Sequence, residues 1–162
     1  MSTDGLETES RVASISAERI TELIDTHFPH IHGDERTFFV EDVTARTARV
    51  RMRHHPRNVR PGGTVSGPAM FTLADIAIWV AIMGALGEDG LDAVTTHFNL
   101  NFLSKPEARD VIAKVTLLRV GRRSAVAECL LYSEGVEAMV AHTVAGYAIP
   151  SSQEGKILPP MR

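Results

Sequence analysis

One carboxylate interrupts an otherwise apolar stretch. In SGPAMFTLADIAIWVAIMGAL, residues 66–86, Asp75 sits inside a run that reads as a helix apolar almost all the way round. An ionised aspartate buried without partners is costly, so it is either paired by helix-end amides or an arginine, or used as a base or nucleophile. The residue alone leaves both readings open. Other reactive groups carry less. Cys129 is the only cysteine and lies in AVAECLLY with no adjacent cation, which predicts an inert buried thiol and excludes an internal disulfide. His27, His30 and His32 in HFPHIHG, and His54 and His55 in HHP, lack partner cysteines or an HExxH helix, so no metal is expected. RPGGTVSGP has neither Rossmann nor P-loop spacing, and there is no G-x-S-x-G elbow.

The elements that must position Asp75 follow from periodicity. Ser16 reads as an N-cap, followed by a stripe of Ile20, Leu23, Ile24 and Phe28 that Pro29 and Gly33 end. TFFVEDV and TARTARVRMR alternate as antiparallel strands, with Ala48, Val50 and Met52 on one face. The Pro- and Gly-rich residues 54–65 form a loop into the long helix, which Gly67 and Pro68 open and Gly84, Gly87 and Gly90 close. Three further strand-bearing runs follow Asp92. In AVTTHFNLNFL, regular alternation places Val94, Phe98, Leu100 and Phe102 on one side and Thr95, His97, Asn99 and Asn101 on the other. The pattern predicts an α+β layout in which an antiparallel sheet of five to six strands covers the helix around its entire girth.

Bulk properties narrow the setting. The chain has 162 residues and a formal net charge of −3, which suits one domain and offers no general attraction to nucleic acid or anionic membrane. We expect a mobile tail over residues 1–13, a single domain with an N-terminal helix over 14–150, and a C-terminal tail over 151–162. The acidic MSTDGLETES has no signal-peptide character, so a cytoplasmic location is expected. Residues 69–86 approach the length of a membrane span, but Asp75 would cost on the order of 3 kcal/mol near its centre. A buried core helix is the expectation.

Over roughly residues 37–149, the passage ending in LAD, the strand ending in NFLSKP and the VGRR turn, taken in order, resemble hot-dog fold acyl-CoA thioesterases, closest to the phenylacetate-pathway (PaaI-like) branch. Where that family reads His-Gly-Gly before Leu-Ala-Asp, this chain has Ser66, Gly67 and Pro68, so Gly67 and Asp75 match while Ser66 replaces the histidine. An upstream Asn of the family corresponds to Asn58, which lies slightly out of register toward the preceding strand, with Arg60 at the aligned place.

The resemblance implies hydrolysis of an acyl-CoA thioester to free acid and coenzyme A. Asp75 would be the general base or nucleophile, and the Gly67 N–H at the helix start would polarise the carbonyl. Thr95 would orient water, while Ser66 is either a binding residue or a plain N-cap. Lys105, Arg122 and Arg123 match basic positions that would hold the phosphates of coenzyme A, with Arg57 and Arg60 weaker candidates. No cofactor is needed, because coenzyme A is part of the substrate. Eight residues separate Gly67 from Asp75, about 12 Å along a helix, so the site requires a homodimer; a homotetramer is further implied. Two alternatives stand beside this reading. One is an acyl-CoA or acyl-lipid binding protein without catalysis, suggested by Ser66. The other is a hydratase, which the lack of any histidine between His55 and His97 disfavours.

Overall fold

The computed structural model describes residues 12–151. The two tails expected from the sequence lie outside the described residues, apart from residues 12, 13 and 151. Ser16 caps the first helix, α1 (Ala17–His27), by accepting the Arg19 N–H, and Ile20, Leu23 and Ile24 bury its apolar stripe. Strands β1 (Phe38–Val43) and β2 (Thr47–Met52) pair antiparallel, and the long helix α2 (Gly67–Leu86) follows. A 3-10 turn, Gly87–Asp92, leads to β3 (Val94–Phe102), β4 (Val111–Val120), β5 (Ser124–Ser133) and β6 (Met139–Ala148).

The six strands form one sheet in the order β1-β2-β4-β5-β6-β3, every neighbouring pair antiparallel. After β2 the chain crosses the sheet through α2 and starts β3 on the far edge. Alternation on each strand sends one set of side chains under α2. Many of these are small: Ala113, Ala127, Ala141 and Ala145 are fully or almost fully buried. Their size lets a helix carrying Leu73, Ile78, Ile82 and Met83 settle close to the sheet. This is the hot-dog fold that the resemblance implies.

Two expectations need correction. The sheet does not enclose the whole girth of α2. Phe71 is 42 % exposed and Thr72 is exposed, while Asp75 and Trp79 are half-buried, so one helical stripe stays open beside the β3 edge. An apolar-all-round pattern cannot distinguish a face covered by the chain's own sheet from a face left for something else. The second correction concerns Gly84. It does not end α2 but lies inside it, where a side chain would strike Val43 and the Thr44 carbonyl oxygen. The helix ends at Gly87, whose φ of 69° falls in the left-handed region that glycine adopts without strain and whose N–H reaches the Met83 carbonyl.

Cys129 points from β5 into this core and is fully buried. Burial pushes its thiol up to about 12, and the neighbouring Glu128 charge adds to the rise. An ordinary thiol ionises near pH 8.5, so its alkylation accelerates through that range. In the folded protein, iodoacetamide labelling of Cys129 is expected to stay slow up to about pH 10 and become fast only in denaturant. Mass spectrometry of the adduct checks this, and native labelling that climbs through pH 8.5 would contradict it. Gly84→Ala is expected to destabilise the fold by about 1–3 kcal/mol through overpacking, read as a lower urea midpoint. A variant with an unchanged midpoint would mean that β1 can retreat from α2.

Candidate active site

Asp75 lies on the open stripe of α2, one helical turn before Trp79. Its Oδ1 accepts hydrogen bonds from the Thr95 hydroxyl at 2.8 Å and from the Tyr147 phenol, whose oxygen is also 3.1 Å from the Asp75 backbone carbonyl. Thr95 and Tyr147 are directly paired residues of β3 and β6, so a single rung of the sheet supplies both donors. Burial, reinforced by the charge of Asp75, pushes the Tyr147 phenol well above its usual range. It therefore keeps its proton and remains a donor. Oδ2 has no hydrogen-bond partner among the described residues. The carboxylate is thus anchored through one oxygen and open through the other. It faces a cleft of ≈ 250 Å³ walled by Phe28, Ile76, Trp79, Val94, Thr95 and Tyr147.

Thr95 reaches Asp75 because β3 is not regular. The ladder jumps from Thr95↔Tyr147 to His97↔Gly146, leaving Thr96 as an extra, bulged residue. Gly146 lies against the bulge, where an added Cβ would meet the Thr96 hydroxyl at 3.4 Å and the His97 Cβ at 3.7 Å, ordinary contact distances. The bulge turns Thr95 toward the helix, the same side as Phe98, which packs on Phe71 with ring centroids 4.3 Å apart. Regular alternation predicts Thr95 and Phe98 on opposite faces; the bulge at Thr96 puts them on one.

At the other end of α2, Ser66 is a helix cap. Its Oγ accepts the Ala69 N–H at 3.2 Å and its carbonyl accepts the Met70 N–H at 3.1 Å. Pro68 has no N–H, so the Gly67 amide alone in this first turn has no acceptor among the described residues. An unpaired amide at the positive end of a long helix dipole is a natural site for developing negative charge. Asn58 sits beside it in the 3-10 turn Pro56–Asn58. Its carbonyl accepts the Ser66 N–H at 2.7 Å, and its Nδ2 is buried without a partner. Gly67 also faces the Phe102 ring, which a side chain would touch at 3.3 Å.

The structure therefore brings Asp75 together with Thr95, and Gly67 together with Asn58 and Ser66, but keeps the two groups apart along α2. Lys105, Arg122 and Arg123 are exposed, and none forms an ion pair among the described residues. They also lie at opposite ends. Arg123 precedes β5, and its carbonyl accepts the Ile149 N–H just beyond Tyr147, whereas Lys105 follows β3 past Phe102 on the Gly67 side. Arg57 is committed to structure: its guanidinium reaches Asp34 at 2.7 Å and backbone carbonyls of His32 and Glu35. Among the described residues no three His, Cys, Asp or Glu side chains gather as metal ligands.

Tyr147 went unnoticed in the sequence. A usable signal existed, because in AHTVAGYAI it continues the inward alternation of Ala141, Thr143 and Ala145. A tyrosine at such a position needs a buried acceptor for its hydroxyl, and Asp75 is a strong acceptor.

Comparison with known proteins agrees with this architecture. The Thioesterase superfamily pattern matches residues 62–140. The fold superposes on a candidate thioesterase from Silicibacter sp. with a TM-score of 0.76 and 35% identity, covering 88% of this chain and 97% of that one. A thioesterase from Haemophilus influenzae gives a TM-score of 0.70 at 17% identity over 86% and 93% of the two chains. The phenylacetic acid degradation protein PaaI from Thermus thermophilus gives 0.61 at 22% identity over 70% and 93%. The last two are likenesses of fold alone. No curated protein matches. The hot-dog architecture, and 35% identity spanning nearly the full length of the Silicibacter protein, establish that this chain belongs to the thioesterase superfamily.

Proposed function

We propose that the protein hydrolyses an acyl-CoA thioester to the free acid and coenzyme A, with Asp75 of one chain and the Gly67 amide of a second chain acting on the same carbonyl. The observation that carries this reading is the division of labour within the Asp75 carboxylate. Oδ1 is fixed by Thr95 and Tyr147, Oδ2 has no partner among the described residues, and Asp75 lines the cleft. As a general base, Oδ2 takes a proton from water while the water oxygen bonds to the thioester carbon. The carbonyl oxygen becomes an oxyanion held by the Gly67 N–H. Collapse breaks the C–S bond, and the proton held by Asp75 passes to the departing thiolate. As a nucleophile, the same oxygen attacks directly and water then cleaves the resulting anhydride; net atoms and protons are identical.

The requirement for a second chain is supported by distance and by surface. Gly67 and Asp75 are about 12 Å apart along one helix, too far for one carbonyl to meet both. Beside the open stripe of α2, Val94, Phe102 and Leu103 are each more than half exposed along the edge strand β3. Apolar groups clustered at an unpaired strand edge favour association. A two-fold arrangement would also bring Lys105 of one chain toward Arg122 and Arg123 of the other, and three cations suit the phosphates of coenzyme A. The LAD, NFLSKP and VGRR passages favour the phenylacetate-pathway branch of the superfamily.

Purified protein with short, medium and aromatic acyl-CoAs and a thiol-detecting dye tests the reaction. Thiol release is expected, and Asp75→Asn is expected to lower kcat by about 10² or more. No release from any of these by the folded dimer refutes hydrolysis. Tight binding without turnover, the same in Asp75→Asn, would select the non-catalytic binding alternative. A mixing experiment tests the shared site. Asp75→Asn and Gly67→Val chains, each inactive alone, are expected to regain about a quarter of wild-type activity when co-assembled. Half of the dimers are then mixed, each with one intact site of two. Failure to complement would show that each chain carries its own complete site.

A further inference from the structure

One wall of the cleft at Asp75 includes a residue from before the superfamily match. Phe28 closes α1 and lies outside the matched residues 62–140. Its ring stands edge-on to Trp79, with centroids 6.3 Å apart at 70°. Both rings line the cleft next to the carboxylate. Trp79 is pinned there, because its indole N–H forks to the carbonyls of Gly90 at 3.2 Å and Leu91 at 3.1 Å. The same 3-10 turn holds α1 in place, since the Arg19 guanidinium binds Glu88 at 2.6 Å. The Ser14 N–H and hydroxyl tie the approach to α1 onto the Gly84 and Ala85 carbonyls of α2. One aromatic ring is thus fixed by the turn after α2, and the other is carried by a helix anchored to that turn.

We propose that Phe28 and Trp79 form the acyl-side wall of the site and restrict it to compact acyl groups. This rests on the hydrolytic reading of Asp75. The groups around the free Oδ2 are apolar except for Thr95 and Tyr147, whose hydroxyls are already committed to Oδ1. The apolar end of a thioester therefore fits this side, and the phosphates do not. Trp79 lies four residues beyond Asp75, about 6 Å along the helix axis, so the wall begins one turn from the reacting carboxylate. Phe28 is 45 % exposed, so trimming it opens the wall to solvent without opening the core.

Trp79 is the only tryptophan of the chain, so its fluorescence reports on this wall alone. The experiment pairs two readouts over a series of straight-chain acyl-CoAs of increasing length: turnover by wild type and Phe28→Ala, and Trp79 emission in Asp75→Asn with and without Phe28→Ala. Short acyl-CoAs are expected to shift the emission while coenzyme A alone does not. The preference for short over long chains is expected to fall roughly tenfold in Phe28→Ala, a change typical of one or two methylenes gaining or losing room. The same length profile in Phe28→Ala and wild type overturns the wall. So does turnover of acyl-CoAs that never perturb Trp79, and in that case hydrolysis at Asp75 stands. Emission shifts that follow chain length without turnover uphold the wall and reject the hydrolytic reading.

Discussion

A carboxylate on an apolar helix must find donors or leave. Asp75 finds them in one rung of the sheet, where Thr95 and Tyr147 lie side by side and both reach Oδ1. This constraint orders much of the architecture. It requires β3 to lie against β6 rather than beside β4, its successor in the chain, and it requires one rung of that pair to reach the middle of α2 on its open side. It also requires a phenol that keeps its proton, which the buried site beside a carboxylate secures.

The same helix offers a second polar group with no partner, and the two have different origins. Asp75 is a side-chain feature secured by tertiary contacts. The free Gly67 amide results from local chemistry, because Ser66 caps one neighbour and Pro68 has no amide to satisfy. On the hydrolytic reading the first residue of α2 and its middle each present half of a site, and the open stripe between them carries Phe71. On the proposed mechanism, the surface that joins two chains and the surface that joins acid to amide are one and the same. Stability of the assembly and completeness of the site would then rise and fall together.

The fold was legible where periodicity is local. The caps at Ser16 and Ser66, the existence of the long helix α2 and the alternation of β2 all follow from short-range rules. Asp75 stood out because a single charge in an apolar helix is conspicuous. What escaped depends on distant pairing. Tyr147 meets Asp75 from 72 positions away, and only the crossover that seats β3 on β6 brings them together. The sidedness of Thr95 escaped for a smaller reason, since one inserted residue inverts an alternation that looks regular in the string of letters. The open stripe escaped because a helix apolar all round reads the same whether or not the chain's own sheet covers every face.

That inserted residue divides β3 into two independently phased segments. Ahead of Thr96 the strand serves the acid; after it, Phe98 and Phe102 serve the helix's apolar flank. Excising Thr96 would leave a continuous ladder and an unchanged composition apart from one threonine. Thr95 and Phe98 would then stand two positions apart and keep a common face, whereas pairing Thr96 regularly would force a choice between a hydroxyl at the carboxylate and rings against α2. The bulge thus lets the strand carry one residue more than a regular ladder would without giving up either contact with α2.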